Sequence, residues 1–115
     1  EVKPATVEAV TKAAGENART VAELFAQRDE LKGKTVTVRG KVTKFNSSIM
    51  DRNWVHIQDG SGSAESKDND LTVTTDGSAI VGKIVVVTGT LVTDQDFGSG
   101  YTYPLLVEKA KIAAE

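Results

Sequence analysis

Two long, valine-rich segments, each with a glycine near its middle, constrain the fold more than any other feature of this chain. Residues 35–45 alternate valines with polar side chains, and residues 83–92 contain three consecutive valines. Alternation with a period of two is typical of a β-strand, and a glycine inside a strand commonly marks a bulge or a bend. Gly40 and Gly89 therefore predict bent strands that pair in two directions and curl a small sheet into a barrel.

Three shorter segments complete a mainly β prediction. Residues 53–58 and 71–75 alternate apolar and polar side chains, and residues 105–112 form the last apolar segment. The early strands are spaced as in β-hairpins, and a long connection follows the third strand. The last two strands then form a hairpin with a long loop. This order is that of a five-stranded Greek-key barrel.

A helix is predicted over residues 20–32, before the first strand. Thr20 is followed three residues later by Glu23, which is the pattern of a capping box, and Gly33 is a typical helix end. Residues 1–19 are predicted to form a partly ordered arm. The rest of the chain, residues 20–115, suits one domain at this length.

The composition narrows the class of protein and its location. No apolar run approaches the roughly 18 residues of a membrane span. The chain begins at Glu1 without an initiator methionine, which fits either a cleaved export signal or a trimmed chain. We expect a periplasmic or exported protein, with a cytoplasmic location as the alternative.

The residue types also argue against catalysis and against a cofactor. The chain has no cysteine and one histidine, so it lacks thiolate zinc sites and cysteine nucleophiles, and it has no nucleophile-elbow motif. The acidic stretch 59–70 lacks the glycine and the glutamate that a calcium-binding EF-loop needs, and we expect it to be a solvated loop. The Asp-Gly-Ser-Gly at its start predicts a hairpin-type turn. We expect no enzymatic activity, no metal and no cofactor.

The only tryptophan and the only histidine lie two residues apart in the second predicted strand, at Trp54 and His56. Alternation puts both on the face opposite Val55 and Ile57. Two interpretations fit this pattern. Either Trp54 packs beneath the loop around Phe97 or beneath the predicted helix, or the face is an open binding platform.

The charge of the chain is unevenly distributed. The net charge is −2 and the pI is about 5.4, which argues against a strong, non-specific binder of nucleic acid. Residues 31–58 hold six basic residues and one acid, a local charge of +5, whereas the rest of the chain carries −7. This basic zone is either a phosphate-binding surface or a solvated, mixed-charge face of the sheet.

Three stretches, residues 33–44, 53–62 and 82–91, resemble the OB-fold of the nucleic-acid-binding, tRNA-anticodon type. Together with residues 96–104, they are similar to small stand-alone OB proteins of bacteria, many of which are exported. The likeness covers residues 20–112. It implies a five-stranded Greek-key OB-fold barrel with an N-terminal helix, and a binding module rather than an enzyme.

The resemblance also implies where a ligand binds. In OB-folds the ligand crosses strands two and three, between the loops that join strands one to two and four to five. Cations there would contact phosphates and aromatic rings would stack on bases. We expect weak binding of single-stranded nucleic acid, or alternatively of a protein partner or small ligand. The candidate nucleic-acid-binding residues are Arg39, Lys41, Lys44, Arg52, Trp54, His56, Thr72, Thr74, Phe97 and Tyr101.

Overall fold

A computed structural model of the chain describes residues 10–49, 51–63, 65–66, 68–96 and 102–114. These residues form two short helices followed by five strands. The helices are α1 (Val21–Ala26) and α2 (Arg28–Leu31). The strands are β1 (Thr35–Ile49), β2 (Arg52–Gln58), β3 (Leu71–Thr75), β4 (Ile84–Asp96) and β5 (Thr102–Ala114).

The five strands form a closed barrel in the order β1-β2-β3-β5-β4. All neighbours are antiparallel except β3 and β5, which are parallel. β1 pairs with β4 through its first half and with β2 through its second half, and Lys41 takes part in both ladders. This is the Greek-key arrangement of an OB-fold, so the predicted fold class is confirmed.

The two predicted glycine bends lie where a strand passes very close to a neighbour. A Cβ atom on Gly89 would lie 2.7 Å from Val107 Cγ1 and 2.8 Å from the carbonyl oxygen of Glu108. A Cβ atom on Gly40 would lie 3.1 Å from the carbonyl oxygen of Gln58. The β4–β5 ladder also changes register at Gly89, between Thr88 and Thr90. The absence of a side chain therefore permits the close packing that barrel closure requires.

The barrel interior is filled almost entirely by aliphatic side chains. Every strand contributes to this core, and both helices join it through buried residues. Phe25 and Phe45 are partly buried and pack against it. The core residues are Val21, Leu24, Leu31, Val36, Val38, Val42, Val55, Ile57, Leu71, Val73, Val85, Val87, Leu91, Leu105, Val107 and Ala110.

The predicted helix over residues 20–32 is present as two short helices separated at Gln27, where φ is −107° and ψ is 16°. The capping box forms as predicted. The Glu23 N–H donates to Thr20 Oγ1 (3.1 Å), and the Thr20 N–H donates to Glu23 Oε1 (2.8 Å). Helices of six and four residues are not stable alone, so their packing against the barrel holds them.

Residues 10–19 lie against the barrel rather than away from it. The Thr37 N–H donates to the carbonyl oxygen of Asn17, and the Arg19 N–H donates to that of Thr37, both at 2.9 Å. Ala18 between them is 3% exposed. This segment thus pairs in parallel with the first half of β1, which covers part of a strand edge.

The start of the loop after β2 differs from both predictions made for it. Asp59 is 4% exposed rather than solvated. Its carboxylate accepts hydrogen bonds from the Val21 N–H (2.9 Å) and the Ser61 N–H (3.0 Å), and also from the Ser61 hydroxyl. The Ser61 hydroxyl oxygen in turn accepts from the Ala22 N–H (3.0 Å). The Asp-Gly-Ser-Gly stretch therefore anchors the N-terminus of α1 instead of forming a hairpin turn.

A pH-dependent contribution to stability is expected from Glu23. The hydrogen bond from the Lys12 ammonium (2.9 Å), followed by that from the Thr20 N–H, lowers the pKa of the Glu23 carboxyl below its usual range. A lowered pKa stabilises the fold at neutral pH, and this stabilisation is lost as the pH falls through the folded-state value. Because both side chains are more than a third exposed, the effect should be a few tenths of a kcal/mol.

The measurement is urea unfolding of the wild type and of Glu23→Gln at about pH 7 and about pH 3. The variant should be less stable at the higher pH, and the difference should shrink at the lower pH. Glu30→Gln, at an exposed acid of α2, is the control and should show no such pH dependence. A difference that grows on acidification would contradict the prediction.

Candidate ligand-binding face

The outer surface of β1, β2 and β3 carries the polar side chains of these strands, because the aliphatic residues alternate with them and point inward. The strand register sets these side chains in two rows. We call this surface the outer face; its rows are Lys44–His56–Thr72 and Asn46–Trp54–Thr74.

Trp54 is covered rather than open, which decides between the two interpretations of this strand. Only 4% of the residue is exposed. Its ring stacks on that of Tyr103, with ring centroids 5.3 Å apart and an interplanar angle of 28°. Its indole N–H donates to the carbonyl oxygen of Ile49 at 2.9 Å. Trp54 thus belongs to a second, small packed layer on the outside of the barrel.

The threonines beside Trp54 are covered as well. Thr72 is 7% exposed and Thr74 is 3% exposed. Near Thr74, Arg52 Nη1 donates to Glu108 Oε1 at 2.8 Å, so that an ion pair links β2 to β5. The residues predicted to form an open platform on β2 and β3 are therefore on the expected face, but their side chains are packed against neighbours.

His56 is partly exposed and is held by an acid. Its side chain is 21% exposed, and Nδ1 lies 3.1 Å from Asp70 Oδ2. The other oxygen of this carboxylate, Asp70 Oδ1, is buried and has no hydrogen-bond partner among the described residues. Asp70 directly precedes β3, and sequence reasoning assigned it only to a solvated loop.

The four basic residues predicted to contact phosphates have different surroundings. Lys41 and Lys44 are exposed and lie on the half of β1 that pairs with β2. Arg39 lies opposite Val86 on β4, and its guanidinium donates to a backbone carbonyl of the segment that precedes α1. Arg52 is engaged in its ion pair. The structure therefore brings only the two lysines of this set to the outer face as exposed cations.

The aromatic residues predicted on the loop between β4 and β5 are only partly accounted for. Phe97 and Tyr101 lie outside the described residues. Tyr103, at the base of that loop, pairs with Gln95 in the β4–β5 ladder and is the ring that covers Trp54. The sequence resemblance covered residues 96–104, but it did not select Tyr103 from the aromatic residues of that stretch.

Two of the grooves that the described residues form flank the outer face. The first, which we call the aromatic groove, has a volume of about 280 Å³ and is lined by Phe25, Asn69, Asp70, Thr72, Tyr103, Pro104 and Leu105. The second, the β3-end groove, has a volume of about 550 Å³ and lies beside the Arg52–Glu108 ion pair. At its rim, Asp51 and Lys109 have positive φ angles of 62° and 52°, a conformation that is strained for residues other than glycine.

Comparison of the chain with models of known protein families and with curated proteins gave no match. No helix within the described ranges is long and apolar enough to cross a membrane. The same part of the chain holds no group of three or more side chains suited to a metal ion. What the outer face binds must therefore be argued from its own side chains.

Proposed function

We propose that this protein is a non-enzymatic binding module that binds single-stranded nucleic acid weakly along its outer face. The observation that carries the proposal is the pair of exposed cations, Lys41 and Lys44, on the strand beside His56. This is the face that OB-folds use for oligonucleotides. Membership of the small stand-alone bacterial OB proteins belongs to the same proposal and is supported by the closed five-stranded barrel and by the sequence resemblance. A periplasmic or exported location is proposed from the sequence resemblance alone, with a cytoplasmic location as the alternative.

The surface for base stacking in this proposal is Tyr103 rather than Trp54. Tyr103 is partly exposed and stacks on the buried indole, so it is the aromatic residue of this pair that a base can contact. Stacking on an aromatic ring contributes about 1–3 kcal/mol per base. The phosphates of the strand would follow the two lysines of β1, across β2 from the tyrosine.

The charge balance explains why the binding is expected to be weak. The basic zone of residues 31–58 carries +5, but the rest of the chain carries −7. Long-range attraction of a polyanion is therefore small, and only local contacts to phosphates and bases contribute.

The test is titration of a labelled single-stranded DNA dodecamer at several salt concentrations. The wild type should bind, and the logarithm of its association constant should fall linearly with the logarithm of the salt concentration. The double variant Lys41→Ala/Lys44→Ala should bind more weakly, with a slope reduced by roughly 1.4, since each phosphate contact on a single strand contributes about 0.7.

Lys32→Ala/Lys34→Ala is the matched control, because it removes the same charge at two exposed lysines just before β1. It should bind like the wild type. Equal losses in the two double variants would indicate a general charge effect. No binding by the wild type at low salt would refute the proposal.

A second candidate function, binding of a protein or a small ligand, is favoured by the two grooves. Both contain acidic side chains, and the larger one combines acids and bases around a buried threonine, Thr75. A groove lined by both acids and bases suits a ligand with charged groups of either sign better than it suits a polyanion. In this case the oligonucleotide would not bind, although the fold would be intact.

A further inference from the structure

The β3-end groove is lined by charged side chains of both signs. Besides the Arg52–Glu108 ion pair, its charged residues are Asp51, Asp76, Lys109 and Lys111, and all four are exposed. Within the described residues, none of the four takes part in an ion pair. Two acids and two bases therefore line one space without neutralising each other, and their charges are available to a ligand.

The acids and the bases of this groove come from different elements. Asp51 directly precedes β2 and Asp76 directly follows β3, and both also line a smaller, adjoining groove of about 300 Å³. Lys109 and Lys111 belong to β5 and do not line the smaller groove. The β3-end groove thus has an acidic side, where β2 begins and β3 ends, and a basic side along β5.

The backbone that carries these charges is fixed by the hydrogen bonds of Thr75. Its hydroxyl donates to the carbonyl oxygen of Ala110 (2.7 Å) and accepts from the Gly77 N–H (3.0 Å). Asp76 lies between Thr75 and Gly77, and the two lysines of β5 lie on either side of Ala110. A site whose groups are positioned before binding loses less conformational entropy when a ligand arrives.

Backbone strain is also concentrated at these two grooves. Of the four non-glycine residues with a positive φ in the described part of the chain, three line them: Ser48 (57°), Asp51 (62°) and Lys109 (52°). Lys109 lies in a bulge, because β5 has two residues where β4 has only Gly89. Strained conformations of this kind cluster at ligand sites, which agrees with the placement of the charges.

The size and the charge of the groove select a class of ligand. A volume of about 550 Å³ falls within the range of about 300–1,000 Å³ that is typical of small-molecule sites. A simple anion would be attracted by the lysines but repelled by the aspartates, and a simple cation would meet the opposite problem. A molecule with one charge of each sign is attracted by both sides.

We propose that the β3-end groove binds a small zwitterion, a molecule with an ammonium group and a carboxylate group. The ammonium group donates to the two aspartates, and the carboxylate group accepts from the two lysines. The proposal rests on the second candidate function, binding of a small ligand, and specifies its site and its ligand class. It is independent of oligonucleotide binding, since it uses neither Lys41 nor Lys44.

The experiment is an NMR titration of the full chain with triglycine, which has both charged groups. The backbone amides of Gly77 and Ala110 report on the groove because these residues line it, and the Gly33 amide serves as a reference outside it. N-acetyltriglycine lacks the ammonium group and triglycinamide lacks the carboxylate. Triglycine should bind about fivefold more tightly than either, the upper value for one exposed ion pair.

Two double variants assign each end of the ligand to one side of the groove. Asp51→Asn/Asp76→Asn removes the partners of the ammonium group, so it should bind triglycine and N-acetyltriglycine equally. Lys109→Gln/Lys111→Gln removes the partners of the carboxylate, so it should bind triglycine and triglycinamide equally. The opposite pattern in either variant would overturn the assignment.

The matched controls remove the same charges at exposed positions outside the groove. They are Asp29→Asn/Glu30→Gln and Lys32→Gln/Lys34→Gln, and both should keep the preference of the wild type for triglycine. Loss of that preference in the controls would overturn the proposal in favour of a long-range charge effect.

The wild type alone also tests the proposal, so the result does not depend on the folding of a variant. Equal binding of the three probes would overturn the zwitterion and leave a small-ligand function for the groove. If no probe shifted the amides of Gly77 and Ala110, both the zwitterion and a small-ligand function of this groove would be refuted. Neither result would affect the oligonucleotide titration.

Discussion

Replacing Trp54 with alanine is expected to lower the free energy of unfolding by about 3–5 kcal/mol. Trp54 is 4% exposed, stacks on Tyr103 and donates a hydrogen bond to the Ile49 carbonyl oxygen. Truncation removes the buried ring, leaves a cavity on the outside of the barrel and deprives a backbone acceptor of its donor. Urea unfolding followed by far-ultraviolet circular dichroism measures the loss.

Ile80→Ala is the matched control for this prediction. Ile80 is also a large apolar residue, but it is 67% exposed, so its truncation should change the stability by less than about 0.5 kcal/mol. A loss for Trp54→Ala no larger than that of the control would show that the indole is not packed. The same result would restore the open platform that the sequence left as an alternative.

This prediction affects how binding experiments on the protein are designed. An open tryptophan could be replaced without unfolding the chain, and the loss of affinity would then measure stacking. A buried tryptophan cannot be replaced in this way, because the variant loses stability and binding together. Substitutions at Lys41 or Lys44 report on binding more directly, since these side chains are exposed.

The barrel was predictable from the sequence because its determinants are local. Alternating valines fix the inward face of the long strands, Gly40 lies where β1 passes from β4 to β2, and Gly89 lies where the β4–β5 ladder changes register. The capping box of α1 depends on residues three apart. None of these patterns requires knowledge of distant contacts.

The candidate site was less predictable because its determinants are distant in sequence. The exposure of Trp54 depends on Tyr103, and the environment of His56 depends on Asp70. Alternation places a side chain on a face but does not say what covers that face. The sequence likewise suggested that Arg52 contacts phosphates, although Glu108 on β5 pairs with it.

Asp59 is the clearest case of a residue whose contacts are distant in sequence and could not be predicted from it. Its replacement by alanine is expected to lower the free energy of unfolding by about 2–4 kcal/mol. In sequence it is one acid of a polar loop. In the structure its buried carboxylate accepts from the Val21 N–H and the Ser61 N–H, and it holds the Ser61 hydroxyl that accepts from Ala22. Truncation leaves the buried Val21 N–H without its acceptor and removes the carboxylate that holds the Ser61 hydroxyl against the Ala22 N–H.

The loss should be concentrated at the junction between this loop and α1. Amide hydrogen exchange should accelerate at Val21 and Ala22 by more than it does in the β-strands. Asp68→Ala is the control: Asp68 lies in the same loop and accepts from the Ser63 N–H at 2.8 Å, but at an exposed position, so its removal should cost about 1 kcal/mol or less. Equal losses in the two variants, or unchanged exchange at Val21, would show that the aspartate does not anchor the helix.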